Sequence, residues 1–145
     1  MASIKNVSTA PLEELLRRKS VRPTRQRLAV LAELAAERDD ATAQTLWERI
    51  RARDVTIGLA TVYRTLALLY EHGVIDVLSH SDDERCYRLC TDGHHHHLTC
   101  ERCHRVVEIG DCDLESWVAA AARRHGFVAA DHRLEISGVC SACAV

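Results

Sequence analysis

At 145 residues and 16.2 kDa the chain has room for one ordinary domain or two small ones, each with a modest core. An apolar fraction of 47% and a charged fraction of 28% exclude a disordered chain, and no apolar run approaches the length of a membrane span. Residues 1–73 carry 12 Lys and Arg against 9 Asp and Glu, whereas residues 74–145 carry 7 against 12, so only the front half has a balance compatible with nucleic acid. The N-terminus lacks the apolar stretch of a signal peptide, which makes a cytoplasmic protein with no membrane partner the expectation. In that reducing compartment the seven cysteines read as metal ligands or free thiols before disulfides.

Pro11 opens a short helix with Leu12, Leu15 and Leu16 on one stripe, and the basic patch Arg17, Arg18, Lys19 follows it. Thr24 can cap a second helix through about Ala36, with Leu28, Leu31 and Leu34 inward. A third starts after Thr42, turns Leu46, Trp47 and Ile50 inward, and stops near Asp54. The fourth runs from about Gly58 to Glu71, where Leu59, Val62, Leu66 and Leu69 recur at spacings of 3, 4 and 3. His72-Gly73 ends it, because glycine readily takes the left-handed conformation of a helix C-cap.

Burying that stripe places Ala60, Thr61, Arg64, Thr65 and part of Tyr63 on the opposite face. Two helices separated by a short break, the second exposing Thr, Tyr and Arg near its start, fit a helix-turn-helix with its recognition helix at residues 58–71. An ordinary helical hairpin with a solvated face would show the same spacing. The run Val74 to Leu78 reads as a strand, and Arg85 to Leu89 as its partner across the polar turn Ser79 to Glu84. A hairpin directly behind a recognition helix is a wing, and it shifts the balance toward DNA. Ser20, Arg22, Arg25, Gln26 and Arg27 add candidate phosphate contacts.

The second half offers a strand from Arg105 to Ile109, a helix from about Asp113 to Arg124 and a strand between Phe127 and Gly138. Those elements cannot bury a substantial core alone, so zinc, dimerisation or both are expected to supply the missing stability. Cys100, Cys103, Cys140 and Cys143 form two CxxC pairs, the spacing that presents four soft thiolates to one tetrahedral zinc. His94, His95, His96 and His97 are consecutive. In extended backbone His94 and His96 face one way and His95 and His97 the other, which predicts two sites rather than one crowded one. Cys90, Asp76, Glu108, Glu115 and His132 are the nearby candidates to complete them. His72, His80, His104 and His125 read as ordinary hydrogen-bonded histidines, and Cys86 and Cys112 as small buried hydrophobes.

Pro23-Thr24-Arg25-Gln26-Arg27, Thr61-Val62-Tyr63-Arg64-Thr65-Leu66, the histidine run and the two CxxC pairs occur here in an order that resembles the ferric uptake regulator family, and within it the actinobacterial zinc uptake regulator branch. The match covers nearly the whole chain. The resemblance implies an α/β (α+β) protein, with a winged helix-turn-helix over residues 1–90 that includes the hinge. An α/β dimerisation domain with a structural four-cysteine zinc would follow over residues 91–145. It implies a regulatory hinge site made of Asp76, Cys90, His95 and His97, and an additional site made of His94, His96, Glu115 and His132, for two or three zinc ions per subunit. It further implies a homodimeric repressor of zinc-uptake genes, with double-stranded operator DNA as partner, one or two dimers per operator, and no small-molecule substrate besides the metal ion. Arg22, Arg25, Gln26, Thr61, Tyr63, Arg64 and Thr65 are the DNA-binding candidates.

Iron and peroxide sensors of that family usually draw a histidine from the N-terminal domain, where this chain has only His72 before residue 80. Cys90 offers sulfur instead and favours zinc over the alternatives of iron, manganese, nickel or peroxide sensing. An enzyme reading, a zinc hydrolase or deaminase, needs an open coordination position with an adjacent acid or base, and neither HExxH nor a deaminase motif is present. A purely structural zinc ribbon would leave Tyr63-Arg64 and the wing without a role.

Overall fold

The structure, a computed structural model, describes residues 9–79, 84–90 and 93–144 and divides into two compact units, Met1–Cys90 and Thr91–Val145. The first unit contains four helices, α1 (Ala10–Arg18), α2 (Arg25–Ala36), α3 (Ala43–Arg51) and α4 (Leu59–Glu71). With them goes a sheet of β1 (Ala41–Thr42), β2 (Ile75–Ser79) and β3 (Arg85–Leu89) in the order β1-β3-β2. The hairpin of β2 and β3 is antiparallel, with Val77 opposite Tyr87. The tip of its turn, residues 80–83 and hence His80, lies outside the described residues.

Local chemistry accounts for the helix ends. The Thr24 and Thr42 hydroxyls accept hydrogen bonds from the backbone N–H groups of Arg27 and Thr45, which caps α2 and α3 as their sequences predict. Helix α4 closes on Gly73 at φ +64: the Gly73 N–H donates to the Tyr70 carbonyl and the Val74 N–H to that of Leu69. The same double bond ends α1, with Ser20 rather than glycine at φ +59. Leu16, Leu31, Leu34, Leu46, Val62, Leu66 and Leu69 are fully buried in one core, and Ile75 joins them from the sheet.

Two expectations need correction here. Strand β1 was not anticipated: at two residues it is too short to show any alternation, and only its pairing of Ala41 with Tyr87 and Thr42 with Cys86 defines it. Thr65, placed by the sequence on the outer face of α4, is only 7% exposed. At about 100° per residue it lies beside Val62 and one turn before Leu69, so the buried stripe is wider than the four leucine and valine positions suggest.

The second unit contains β4 (His96–Cys100), β5 (Val106–Ile109), β6 (Glu135–Gly138) and helix α5 (Glu115–Arg124), with sheet order β5-β4-β6. Strands β4 and β5 are antiparallel, whereas β4 and β6 are parallel, with α5 inside the connection between β5 and β6. Among the described residues of this unit only His96, His97, Thr99, Cys100 and Val106 are buried. Helix α5 buries none, and its Trp117 is 66% exposed. Val107, Leu98 and Ile136 are register partners across the three strands and form a half-exposed apolar row. No helix among the described residues is long and apolar enough to cross a membrane.

Candidate metal centres and nucleic-acid face

Because β4 and β6 run in parallel, with Cys100 opposite Gly138, the two CxxC pairs leave the sheet at the same end. The Sγ atoms of Cys100, Cys103, Cys140 and Cys143 all lie within 4.8 Å of one another. The Cys103 and Cys140 sulfurs are 3.7 Å apart. A tetrahedral zinc with Zn–S of about 2.3 Å requires sulfur separations near ~3.8 Å, and a disulfide about 2.05 Å, so the spacing is that of ligands. His104, at φ +61, lets the first knuckle fold back, its N–H donating to the Cys100 carbonyl at 2.9 Å. The Cys143 N–H donates to the Cys140 carbonyl at 2.9 Å in the second.

Protons are unevenly held in this cluster. Backbone N–H groups, first that of Cys140 and then those of Cys103 and Arg102, pull the Cys100 thiol down to about 6. Hydrogen bonding to Cys140 and then Cys103 pushes Cys143 up to about 12. With Cys100 lowered and Cys143 raised, the cluster gives up a proton when a cation takes its place.

The histidine run sorts onto two faces. The rings of His94 and His96 meet edge to face at 4.6 Å, and those of His95 and His97 at 5.0 Å. The first pair converges on His132: His94 Nε2 is 3.2 Å from both His96 Nε2 and His132 Nε2. The fourth member of this group is Cys112, whose Sγ lies 3.1 Å from His96 Nε2 and 3.0 Å from His132 Nε2. All four donor atoms lie within 4.8 Å of one another. Burial, and then the neighbouring His94 and His132, hold the His96 imidazole below its ordinary pKa, which keeps it neutral and available as a ligand.

Glu115, expected as the fourth ligand, lies apart from this group. It is exposed at the first position of α5 and borders a cavity of about 550 Å³ beside His94 and His132, outside the tight group. Cys112 stands in the group because the loop between β5 and α5 passes directly beside His96 and His132. Sequence reading sets Cys112 aside as a small hydrophobe, with the adjacent acidic Asp111 and Asp113 the only signal against that, whereas the structure leaves it half-buried. His72, by contrast, has the ordinary role expected of it, its Nδ1 donating to the Lys19 carbonyl at 3.1 Å.

Of the residues assigned to the hinge, Asp76 and Cys90 belong to the first unit. The Cys90 N–H donates to the Val74 carbonyl at 3.1 Å, extending the β2–β3 ladder, in which Asp76 faces Arg88. By the pleat, Asp76 and Cys90 share one sheet face as diagonal neighbours. His95 and His97 belong to the second unit, on the strand face away from His96.

The first unit also carries the candidate DNA face. Gln26, Arg27, Thr61, Arg64 and Thr65 border one open cleft of about 460 Å³ between the start of α2 and the outer side of α4. Tyr63 is half exposed, and Arg64 is exposed with an Nη2–H donating to Thr61 Oγ1 at 3.3 Å. Arg27 braces the loop before α2 by donating to the Arg22 carbonyl at 2.7 Å, and exposed Arg25 is ion-paired with Asp54. The cleft thus brings four candidate contacts, Gln26, Arg27, Thr61 and Arg64, to one side, while buried Thr65 forms the floor.

The sequence model of the Ferric uptake regulator family matches residues 18–137. A zinc uptake regulation protein from Mycobacterium tuberculosis is 44% identical over 123 residues, covering 85% of this chain and 95% of that protein. A ferric uptake regulation protein from Bacillus subtilis is 36% identical over 136 residues, 91% of each chain. Among solved structures, a zinc uptake regulator complexed with zinc and DNA superposes with a TM-score of 0.76 at 27% identity, over 98% of this chain and 96% of that one.

Proposed function

The chain belongs to the ferric uptake regulator family, and from that premise we propose that it is a zinc-responsive transcriptional repressor rather than an enzyme, controlling zinc-uptake genes from the cytoplasm. The observation that carries the zinc reading is the sulfur-rich donor set: one four-thiolate group at ligand spacing, and His94 Nε2 at 3.2 Å from both His96 Nε2 and His132 Nε2. A relative 44% identical is a zinc uptake regulation protein, and a neighbour of the same fold binds zinc and DNA.

Each residue then has a task. Cys100, Cys103, Cys140 and Cys143 hold a structural zinc that closes the second unit, and His94, His96 and His132 hold another. Asp76, Cys90, His95 and His97 hold the regulatory zinc, whose gain or loss sets whether both winged helices present their α4 helices at half-site spacing. Zinc itself supplies only a tetrahedral cross-link; the chain supplies neutral imidazole, thiolate and carboxylate donors. Homodimerisation is supported by the unburied α5 and by the apolar row Leu98, Val107, Ile136, which a second copy would cover.

On operator DNA, Arg64 is placed to read a guanine edge, with Thr61 and Tyr63 against thymine methyls or phosphates. Arg22, Arg25 and Gln26 meet the backbone and set the register. The test is a zinc titration of binding to an AT-rich inverted-repeat duplex from upstream of a zinc-uptake gene, at fixed salt, for the wild type and Cys90→Ala. Zinc tightens wild-type binding and leaves Cys90→Ala weak; affinity indifferent to zinc would overturn the reading. Competition with iron, manganese and nickel in the same assay separates zinc from the other metals the family senses.

A further inference from the structure

We propose that Cys112 is the fourth ligand of the His94, His96 and His132 centre, making it a sulfur-containing site selective for zinc over the harder manganese and iron ions. The inference rests on the reading that this centre binds metal at all, and it deepens that reading by assigning the donor that sets its preference.

Geometry favours the assignment. A tetrahedral zinc with Zn–N of about 2.0–2.1 Å and Zn–S of about 2.3 Å spaces neighbouring nitrogens about 3.3–3.4 Å apart and a nitrogen about 3.6 Å from the sulfur. The observed edges are 3.2 Å for His94 to His96, 3.2 Å for His94 to His132, 3.1 Å for His96 to Cys112 and 3.0 Å for Cys112 to His132. The two nitrogen–nitrogen edges therefore need to open by about 0.1–0.2 Å and the two nitrogen–sulfur edges by about 0.5–0.6 Å to admit the ion. All three histidines present Nε2, so each ring reaches the same point from its own backbone direction. The ring of His96 is 3% exposed and the thiol is half-buried, so the site opens to solvent mainly on the His94 side, where Glu115 borders the cavity.

Charge does not choose between the two candidate anions, since thiolate and carboxylate each leave three imidazoles and Zn²⁺ with the same net charge. Donor softness and reach do. Sulfur favours zinc and cobalt, whereas a carboxylate in that position would also suit manganese and iron. Glu115 is left exposed beside the site, free to contact a ring N–H or water there.

The test uses the full chain carrying Cys90→Ser, with the four-cysteine group filled by zinc; Cys86 is buried in the first unit, so Cys112 is the only solvent-accessible sulfur left for an added ion. Cobalt(II) bound at the histidine centre then shows thiolate-to-metal charge-transfer absorption in the near ultraviolet. Cys112→Ser in this background abolishes that absorption and weakens cobalt and zinc at the site by at least ~10–100-fold, the loss that even an outer partner's removal causes. Glu115→Gln leaves the absorption in place.

Tetrahedral cobalt bands without charge transfer, lost instead in Glu115→Gln, would overturn the Cys112 assignment and leave the metal centre standing. No cobalt bound beyond the four-cysteine group would sink both. Peptide mapping of iodoacetamide labelling in the wild type provides a check free of mutation: zinc protects Cys112 if it is a ligand, and unchanged labelling overturns the assignment.

Discussion

Replacing Cys140 by serine removes one arm of the four-thiolate group, and the structure allows the consequence to be sized. The 37-residue separation between Cys103 and Cys140 means that the metal cross-link restrains the unfolded chain by about 4 kcal/mol of loop entropy, by analogy with a disulfide closing the same loop. The remaining interior is thin. Val106 is the one aliphatic side chain among the described buried residues of the second unit, and burying such a side chain contributes about 1.5–3 kcal/mol. Loss of the cross-link therefore outweighs that contact. At 1.4 kcal/mol per factor of ten, 4 kcal/mol corresponds to a ~10³-fold loss of protection.

Hydrogen exchange on the full chain reads this directly. In Cys140→Ser, or after chelation of the wild type, the amides of His97 and Glu101, which donate to Leu134 and Gly138, exchange ~10³-fold faster. The Val21 amide on the Leu16 carbonyl changes little, because the buried leucine and valine core of the first unit contains none of the four cysteines. Undiminished protection at His97 and Glu101 in metal-stripped protein would refute the claim that zinc holds the second unit together.

Arg64→Ala costs operator binding about 1–3 kcal/mol and relaxes preference at one base position, whereas Arg22→Ala weakens all duplexes alike and lowers the salt slope by about one; titrations at several salt concentrations on matched and mutated duplexes distinguish the two. Ser20→Gly relieves a left-handed residue at φ +59, worth about 1–2 kcal/mol, against about 0.5–1 kcal/mol of added chain entropy. Thermal unfolding of the variant thus shows a net gain between zero and about 1.5 kcal/mol, and a lower melting temperature would disprove the strain. Since burial, then His94 and His132, lower the His96 pKa, its stabilising contribution is present above the unfolded value of about 6.5 and is lost as pH falls below it. Metal-free protein should unfold more easily at pH 5.5 than at 7.5, with a shallower pH slope in His96→Asn; equal slopes would contradict this.

Much of the first unit was legible because its signals are local. Thr24 and Thr42 announce caps, His72-Gly73 announces a C-terminus, and the periodicity of Val62, Leu66 and Leu69 identifies the buried side of α4. Strand β1 was not legible, since a two-residue strand exists only through its partner β3. Thr65 was misread for a related reason: the width of a buried stripe depends on how closely neighbouring helices approach, and no heptad of letters records that.

The metal chemistry divides along the same line. Alternation along extended backbone is a covalent property, so four consecutive histidines determined by themselves that His94 and His96 would part company with His95 and His97. The CxxC spacing likewise determined which sulfurs belong together. Which distant residue completes the His94, His96 and His132 group was a matter for the tertiary structure. Cys112 and Glu115 are three residues apart in sequence, and only the path of the loop from β5 into α5 sends the thiol to the imidazoles and the carboxylate to the rim. Ligand sets assembled across a fold depend on where backbone segments pass in space, and composition gives candidates without giving that route.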